Sequence, residues 1–295
     1  TRTGMFERHI ASENEAASDL AYEAAVRAIE SSSVKYKDID QINRIINIAP
    51  DNFDFYVHID KKSPLRVGDI SKRAKVFSEF KINWGAVEHL KAFLLLIEKA
   101  YASGDKYDFY HLITGQDFYA CNFDKFEELL QKEKIYVSYF SLPRKGWWHG
   151  GLDIVKYKSL ASKYDLRQRK FKLLDILYYW WQRLFTKGRS LPSYKMYGGL
   201  VYCSIPRGAI DWVLNSAISN DLLGRLTDST CGEEVFFQTI FLNSPFKNQV
   251  VNDNLRYTDW SVHCPPKVLT VEDYDKIINS HKLFCRKIDS IVSKN

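Results

Sequence analysis

The 295-residue sequence has no long apolar run. Nowhere does it reach the roughly 18 consecutive apolar residues that a membrane-spanning helix needs. Its first residues, TRTGMFERHI, also lack the apolar centre of a signal peptide. From these two absences we expect the protein to stay in the cytoplasm.

Cysteine is scarce, and its spacing forms no recognisable pattern. The chain has five cysteines and no CxxC pair, which argues against a disulfide framework and against a zinc knuckle. We expect these thiols to be reduced and mostly buried. The net charge of +6 permits a polyanionic partner without requiring one. No nucleic-acid-binding motif is present, so we expect no nucleic-acid partner.

The composition, 45% hydrophobic and 26% charged, is typical of a globular protein with one large domain or two small ones. FDFYVHID and YDFYHLIT have strand length and composition, and AVEHLKAFLLLIEKAYASG between them has a helical pattern with a glycine stop. Strand, helix, strand predicts an α/β fold with a parallel sheet. Ligands bind beyond the carboxyl ends of such strands. The residues found there are Asp60, Lys61, Lys62, Gly115, Gln116 and Asp117. Turn chemistry explains an Asp or a Gly at these positions equally well.

The segment STCGEEVFFQTIFLNSPF places two adjacent glutamates at the start of an apolar helix. Thr230 is a good N-cap residue, and Glu233 three residues later predicts a capping box. Glu234 has no role in this capping box and is a candidate general base. The alternative is that both acids simply favour a helix start.

The segment RQRKFKLLDILYYWWQRLFTKGR, residues 167–189, is helical by pattern, with basic residues at both ends and four adjacent aromatic residues in the middle. This composition suits a membrane interface. A helix buried against the domain or against a dimer partner is the alternative.

Near the end of the chain, Thr270 with Glu272 and Asp273 predicts another helix start, and a basic cluster follows it. Lys287 lies just beyond two apolar residues that need burial, so its ammonium group could be held in place to meet phosphate. A solvated basic surface is the alternative for this cluster.

Six segments, in this order and at this spacing, resemble the core-2/I-branching β-1,6-N-acetylglucosaminyltransferases and the related peptide O-xylosyltransferases over about residues 41–295. They are FYVHIDKKS, WGAVEHLKAFLLLIEKA, YHLITGQDFY, EEVFFQTIFLNSPF, NLRYTDW and LFCRKID. The resemblance implies a GT-A-like, mostly parallel central sheet flanked by helices. It also implies inverting transfer of a sugar from a UDP-sugar without a metal ion.

The resemblance assigns roles to individual residues. Glu234 takes the position of the catalytic base, and Lys287, with Arg286 beside it, that of the group that holds the donor diphosphate. The other donor-binding candidates are Asp60, Lys62, Trp84, Gln116 and Asp117. The candidates on the substrate side are Trp260, Glu233 and Tyr202.

Many GT-A enzymes hold a metal ion with an Asp-x-Asp motif. Here the strand that would carry that motif ends in TGQD, and the two literal matches, Asp38 to Asp40 and Asp273 to Asp275, lie elsewhere. We therefore expect no metal and no other cofactor, with the UDP-sugar as a co-substrate. Inversion then needs one base for the acceptor hydroxyl and one cationic group for the leaving diphosphate.

The chain also departs from the family. Leu200 and Tyr202 replace a serine and a tryptophan, and the second basic residue of the phosphate site has no clear counterpart near His263, Cys264 and Lys267. Residues 1–40 instead resemble a fragment of β-ketoacyl-acyl carrier protein synthase III without its Cys-His-Asn catalytic set. We expect this segment to be mainly helical, with an amphipathic helix over residues 16–31. Only SVKYKDI could replace the first strand, which is otherwise missing.

The sequence therefore predicts a glycosyltransferase domain over residues 41–295, preceded by a segment foreign to the family. The predicted reaction is inverting transfer, with N-acetylglucosamine as the sugar and a glycan, lipid-linked or capsular, as the acceptor. Peripheral membrane contact through residues 167–189 belongs to this hypothesis. The alternative is a non-catalytic glycan-binding or membrane-surface scaffold derived from a glycosyltransferase.

Overall fold

The computed structural model describes residues 38–147, 150–262, 265–289 and 292–294. In this part of the chain the α-helices are α1 Asp38–Ile48, α2 Glu88–Ala102, α3 Asp124–Leu129, α4 Asp153–Lys156, α5 Arg169–Phe185, α6 Ile210–Asn215, α7 Ala217–Leu226, α8 Glu233–Leu242 and α9 Tyr274–Ile278. The strands are β1 Phe55–His58, β2 Ala74–Phe77, β3 Phe109–His111, β4 Asp117–Tyr119, β5 Ile135–Val137, β6 Phe140–Ser141, β7 Tyr197–Gly198, β8 Cys203–Pro206, β9 Val250–Val251, β10 Arg256–Thr258 and β11 Phe284–Arg286.

The strands form small mixed sheets, and this corrects the prediction of one mostly parallel central sheet. A four-stranded sheet has the order β3-β8-β5-β9, in which only β5 and β9 are parallel. A three-stranded sheet has the order β10-β11-β4, with β10 and β11 parallel and β4 antiparallel. β1 pairs with β2 in parallel, and β6 pairs with β7 in antiparallel fashion. The fold class is thus mixed α/β.

The predicted strand, helix, strand unit exists as β1, α2 and β3, but β1 pairs with β2 and β3 pairs with β8. The prediction that this unit forms a parallel sheet was therefore wrong for β1 and β3, which belong to different sheets. Strand character is a local property of a segment, whereas the choice of partner depends on residues far along the chain. The stop of α2 is confirmed, because Gly104, two residues beyond the helix, has a φ of +86°.

Helix α1 spans residue 41, where the sequence analysis places the start of the glycosyltransferase domain. Asp38 and Ile39, the last two residues of SVKYKDI, begin this helix, and residues 33–37 lie outside the described part. The predicted amphipathic helix over residues 16–31 also lies outside it. α1 packs on the TGQD turn: a Cβ on Gly115 would lie 2.9 Å from Cγ1 of Ile42, and Gln41 Nε2 donates to the Asp117 carbonyl at 3.2 Å.

Helix α8 lies at the centre of the main core, and every one of its residues is buried. Phe236, Phe237 and Phe241 are among the largest fully enclosed side chains. The helix runs along β7, where Thr239 Oγ1 donates to the Tyr197 carbonyl at 3.1 Å. The helix ends at Leu242 with Asn243 as its C-cap residue. Burial on all sides fixes the position of the two glutamates at its first turn.

Candidate active site

A cavity of about 380 Å³ opens at the N-terminal end of α8. Its walls come from β1 and the turn after it, the TGQD turn, the segment before β8, and the first turn of α8. The residues of the sequence-derived set that line it are Asp60, Gln116, Tyr202, Glu233, Glu234 and Arg286. With His89 included, the structure gathers residues from five of the six recognised segments, together with Tyr202, around one space.

Glu233 and Glu234 are both buried, with 2% and 1% of their surface exposed, and both line the cavity. Oε1 of Glu233 lies 3.1 Å from Nδ1 of His89, the second residue of α2. The backbone carbonyl of Glu234 accepts a hydrogen bond from the Gly199 N–H at 2.9 Å. A side chain on Gly199 would collide with the Ser138 carbonyl, because its Cβ would lie only 2.1 Å from that oxygen. This close backbone approach holds the turn that carries Glu234 against the main sheet.

The predicted capping box does not form. α8 begins at Glu233 with Gly232 as the N-cap residue, so Thr230 is not the N-cap and Glu233 is the first helical residue instead of the third. Thr230 instead packs against Gly85, whose φ is +79° and whose Cβ, if it had one, would lie 2.6 Å from Oγ1 of Thr230. The Cys231 N–H donates to the Gly85 carbonyl at 2.8 Å. Two loops distant in sequence therefore set where the helix starts.

Arg286 is the cationic residue on the cavity wall. Its Nη1 donates to Thr114 Oγ1 at 2.6 Å, and its Nη2 donates to Gln116 Oε1 at 3.3 Å. Burial acts to lower the pKa of Arg286, but nearby Tyr202 and Asp117 raise it above its ordinary value, so the guanidinium remains charged. The TGQD turn therefore supports a fixed positive charge beside the cavity.

Asp117 is fully buried and pairs with Arg286 instead of lining the cavity. Its Oδ1 lies 3.0 Å from Nε of Arg256 and 3.7 Å from Nη1 of Arg286, while Oδ2 accepts from the Thr114 N–H at 2.5 Å. The cavity lining includes Gln116 but not Asp117. The donor-binding role of Asp117 stays a prediction.

Arg256 is a site residue that the sequence reasoning missed, although it lies in the recognised segment NLRYTDW. Its guanidinium lies over the Tyr202 ring at 3.9 Å, and Arg286 lies 5.2 Å from the same ring. Burial raises the pKa of Tyr202, which keeps its phenol neutral. In this cluster two buried guanidinium groups share one carboxylate, so the wall carries a surplus positive charge.

Asp60 stabilises the turn after β1, which forms another part of the cavity wall. Its Oδ1 accepts from the N–H groups of Lys62 and Ile82, at 2.9 and 3.1 Å, and its Oδ2 lies 3.8 Å from Lys62 Nζ. His58, also missed, lines the cavity and accepts two backbone hydrogen bonds at Nε2, from Glu79 and Phe80. Burial lowers the pKa of His58. Both histidines of the cavity, His58 and His89, were visible in the recognised segments FYVHIDKKS and WGAVEHLK.

Besides Asp117, four predicted residues lie outside the cavity lining. Lys62 is exposed and donates to Asn83 Oδ1 at 3.2 Å. Trp84 packs with Phe171 of α5 in a small apolar cluster. Trp260 is half-buried, and Lys287 is buried beside Arg286, with its carbonyl accepting from the Leu269 N–H at 2.8 Å. Near the position of the unassigned second basic residue, His263 and Cys264 lie outside the described residues.

Within the described ranges, no group of three or more His, Cys, Asp or Glu side chains is arranged to hold a metal ion. Over the same ranges, no helix has both the length and the apolar character that crossing a membrane requires. The described cysteines, Cys121, Cys203, Cys231 and Cys285, are free thiols, and all but Cys121 are buried.

Comparison with known proteins gives one long match and several short ones. The family described as Core-2/I-Branching enzyme matches residues 31–277, a range that includes both glutamates and ends before Arg286. Beta-ketoacyl-[acyl-carrier-protein] synthase III of Xylella fastidiosa (strain Temecula1 / ATCC 700964) is 62% identical over 42 residues, which are 14% of this chain and 13% of that protein. The protein of the same name from Campylobacter jejuni (strain RM1221) is 52% identical over 52 residues, 18% of this chain and 16% of that protein. The chain thus spans only a small part, 13% to 16%, of these two curated relatives.

Proposed function

The chain belongs to the core-2/I-branching enzyme family, a glycosyltransferase family, and from this premise we propose that it is an inverting glycosyltransferase that uses a UDP-sugar. The observation that carries the proposal is the placement of Glu234 and Arg286 on the wall of one cavity. The first is a candidate base for the acceptor hydroxyl, and the second is a fixed cation for the leaving diphosphate. Single-displacement transfer needs these two groups.

Glu234 is our candidate for the base because the resemblance assigns it that position and it lines the cavity. Glu233 lies within hydrogen-bond distance of His89, so we propose that it orients the histidine and the acceptor side of the cavity. The backbone carbonyl of Glu234 accepts a hydrogen bond from the Gly199 N–H, which fixes the main chain at this residue. A base on a fixed helical turn is positioned for proton transfer once the acceptor hydroxyl arrives.

Arg286 suits a diphosphate because the groups around it do not neutralise the whole positive charge of the cluster. Arg256 and Arg286 share the single carboxylate of Asp117, and a buried cation without a full countercharge favours an anionic ligand. The planar guanidinium also matches phosphate oxygens in geometry. Lys287, to which the resemblance assigns the diphosphate, is next in the chain, and we propose it as a second contact.

This arrangement would neutralise the developing phosphate charge without a metal ion. We therefore propose metal-independent transfer, with N-acetylglucosamine as the sugar and a glycan, lipid-linked or capsular, as the acceptor. The volume of the cavity, about 380 Å³, lies within the range of small-ligand sites and leaves room for part of a sugar nucleotide.

We propose the cytoplasm as the location of the reaction. The free thiols of the described part fit a reducing compartment. Fractionation of the native host, with the protein detected by antibody, tests this: recovery from an extracellular or oxidising compartment would contradict it.

Release of UDP tests the reaction. The full chain is incubated with UDP-N-acetylglucosamine, UDP-glucose and UDP-xylose separately, with and without a chelator, and free UDP is measured. We expect slow hydrolysis of one donor, unchanged by the chelator, and faster release when a glycan acceptor is added. Hydrolysis that requires manganese or magnesium would refute the metal-independent mechanism. A folded protein that releases UDP from none of the donors would instead support the non-catalytic scaffold.

A further inference from the structure

Helix α5 is built with its polar side inward. The residues that it buries are Asp175, Tyr179 and Gln182, which recur at helical spacing and therefore share one face. Each binds the polypeptide beneath it. Asp175 Oδ1 accepts from Ser159 Oγ at 3.0 Å, and Gln182 Nε2 donates to the Lys158 carbonyl at 2.9 Å.

The opposite face of α5 is apolar and exposed. Leu177 exposes 57% of its surface, Leu184 71% and Phe185 74%. The same helix exposes five more large apolar side chains, those of Leu173, Leu174, Ile176, Trp180 and Trp181. An ordinary surface helix turns its apolar side chains to the core and its polar side chains to water, and α5 does the reverse. An exposed apolar patch of this kind marks an interaction site.

Basic residues surround this apolar face. Residues 156–189 contain ten lysines and arginines but only two aspartates, although the whole chain has a net charge of only +6. Of the two aspartates, Asp165 is paired with Arg167 and Asp175 is buried against the domain. The positive charge of this segment is therefore largely uncompensated within it.

A groove of about 280 Å³ lies along the edge of the same helix. Four basic residues line it, together with Tyr178 and Trp181, whose rings stack with centroids 6.2 Å apart. The basic residues are Lys156, Lys158, Lys187 and Arg189. Lys158 and Arg189 also hold Asp228, at 2.8 and 2.6 Å, which leaves the groove with a surplus of positive charge. An apolar face with stacked aromatic rings at its edge and a basic groove beside it matches the chemistry of a lipid monolayer with anionic headgroups.

We propose that α5 docks the protein onto an anionic membrane surface, with its apolar face among the acyl chains and the basic groove on a headgroup phosphate. A second copy of the chain is a poorer occupant. A twofold contact through this face would place the basic residues of one copy against the same residues of the other. The proposal does not depend on the transferase activity, because it concerns a surface distinct from the cavity at α8.

Flotation of the full chain with vesicles tests the proposal. The two vesicle types are pure phosphatidylcholine and phosphatidylcholine with about 30% phosphatidylglycerol, whose surface potential attracts basic residues. We expect binding to the anionic vesicles only, falling more than tenfold when salt rises from about 0.05 M to about 0.5 M, because screening shortens the range of the attraction. No binding at low salt, or equal binding to neutral vesicles, would overturn the proposal.

Two variants with matched controls separate the two parts of the surface. Changing Leu177, Trp181 and Leu184 to Ser should abolish binding, whereas the same change at exposed Val271, Tyr274 and Ile278 should not. Reversing Lys170 and Lys187 to Glu should weaken binding at least 25-fold, from about fivefold for each basic residue lost near an anionic surface. The control reverses Lys125 and Lys132, which are also exposed.

Light scattering and circular dichroism complete the test. A dimer in solution that the Leu177, Trp181, Leu184 triple variant dissociates, without vesicle binding by the wild type, would assign the face to a second copy and overturn the membrane proposal. Vesicle binding that survives in the triple variant, once circular dichroism shows native helix content, would overturn it as well.

Discussion

Nδ1 of His89 lies 3.1 Å from Oε1 of Glu233, so α2 and α8 meet through a polar contact at the cavity. This contact separates two glutamates that are neighbours in the sequence. Glu233 is tied to a histidine on another helix, and Glu234 is held through its backbone.

The first prediction follows from this division. Glu234→Gln should lower the transfer rate about 10²- to 10⁴-fold, the usual contribution of a general base, and leave UDP affinity almost unchanged. Glu233→Gln should leave a measurable rate, because Glu233 contacts His89 and is not the proposed base. Initial rates, together with UDP titration calorimetry, compare the two variants. Equal losses of rate in both would contradict the division of roles.

The second prediction concerns the diphosphate. Arg286→Gln should weaken UDP binding about 10- to 100-fold, because a charged hydrogen bond contributes about 1.5 to 3 kcal/mol. Arg286→Lys should retain part of the affinity, since it keeps the charge but loses the planar donor geometry. Lys287→Gln is the matched neighbour and should cost less, because Lys287 does not line the cavity. Calorimetry gives the affinities, and thermal melting shows whether each variant is folded; a larger loss at Lys287 would reverse the assignment.

The third prediction concerns Gly85. Its φ of +79° and the 2.6 Å approach of a would-be Cβ to Thr230 make a side chain costly at this position. Gly85→Ala should lower the free energy of unfolding by about 1 to 3 kcal/mol. It should also reduce activity, because the displaced loop contains Cys231 and leads into the start of α8. The control is Gly224→Ala within α7, where a Cβ meets nothing within 4 Å and helix propensity predicts a gain of up to about 1 kcal/mol. Chemical denaturation measures both changes, and a neutral Gly85→Ala would show that the loop adapts.

The fourth prediction concerns stability in acid. His111 lies among aromatic rings, 5.5 Å from Phe284, and burial together with the charge of Arg256 lowers its pKa to about 4. In the unfolded chain a histidine titrates near 6.5, so between about pH 6.5 and 4 the unfolded chain takes up a proton that the folded protein does not. Stability is therefore lost as the pH falls through this window, by at most about 3 kcal/mol.

The test is His111→Gln, which removes the titrating group. The difference in unfolding free energy between about pH 7.5 and pH 4.5 should shrink in this variant, since it no longer contains the linked proton. An unchanged pH dependence in His111→Gln would show that other groups cause the loss.

Local patterns in the sequence were sufficient to predict the elements that are defined by the spacing of apolar residues and by stop residues. The helices α2, α5 and α8 were predicted where they occur, because apolar spacing and stop residues are local signals. Thr270 and Asp273 do form a capping box, again from neighbouring residues. The six short segments also led to the family, since their order and spacing survive in the linear chain.

Only the tertiary structure decided how these elements meet. β1 pairs with β2 rather than β3, and the helix start at Glu233 follows from the backbone approach of Gly85, about 150 residues away in the sequence. Asp117 turned out to balance Arg256 and Arg286 because all three are buried together, and a buried charge must find its partner wherever the fold places one. The polar side of α5 faces inward because the polypeptide beneath it supplies the partners of Asp175 and Gln182. Contacts between distant residues cannot be read from local propensity, since the energy of each depends on the burial that the completed fold creates.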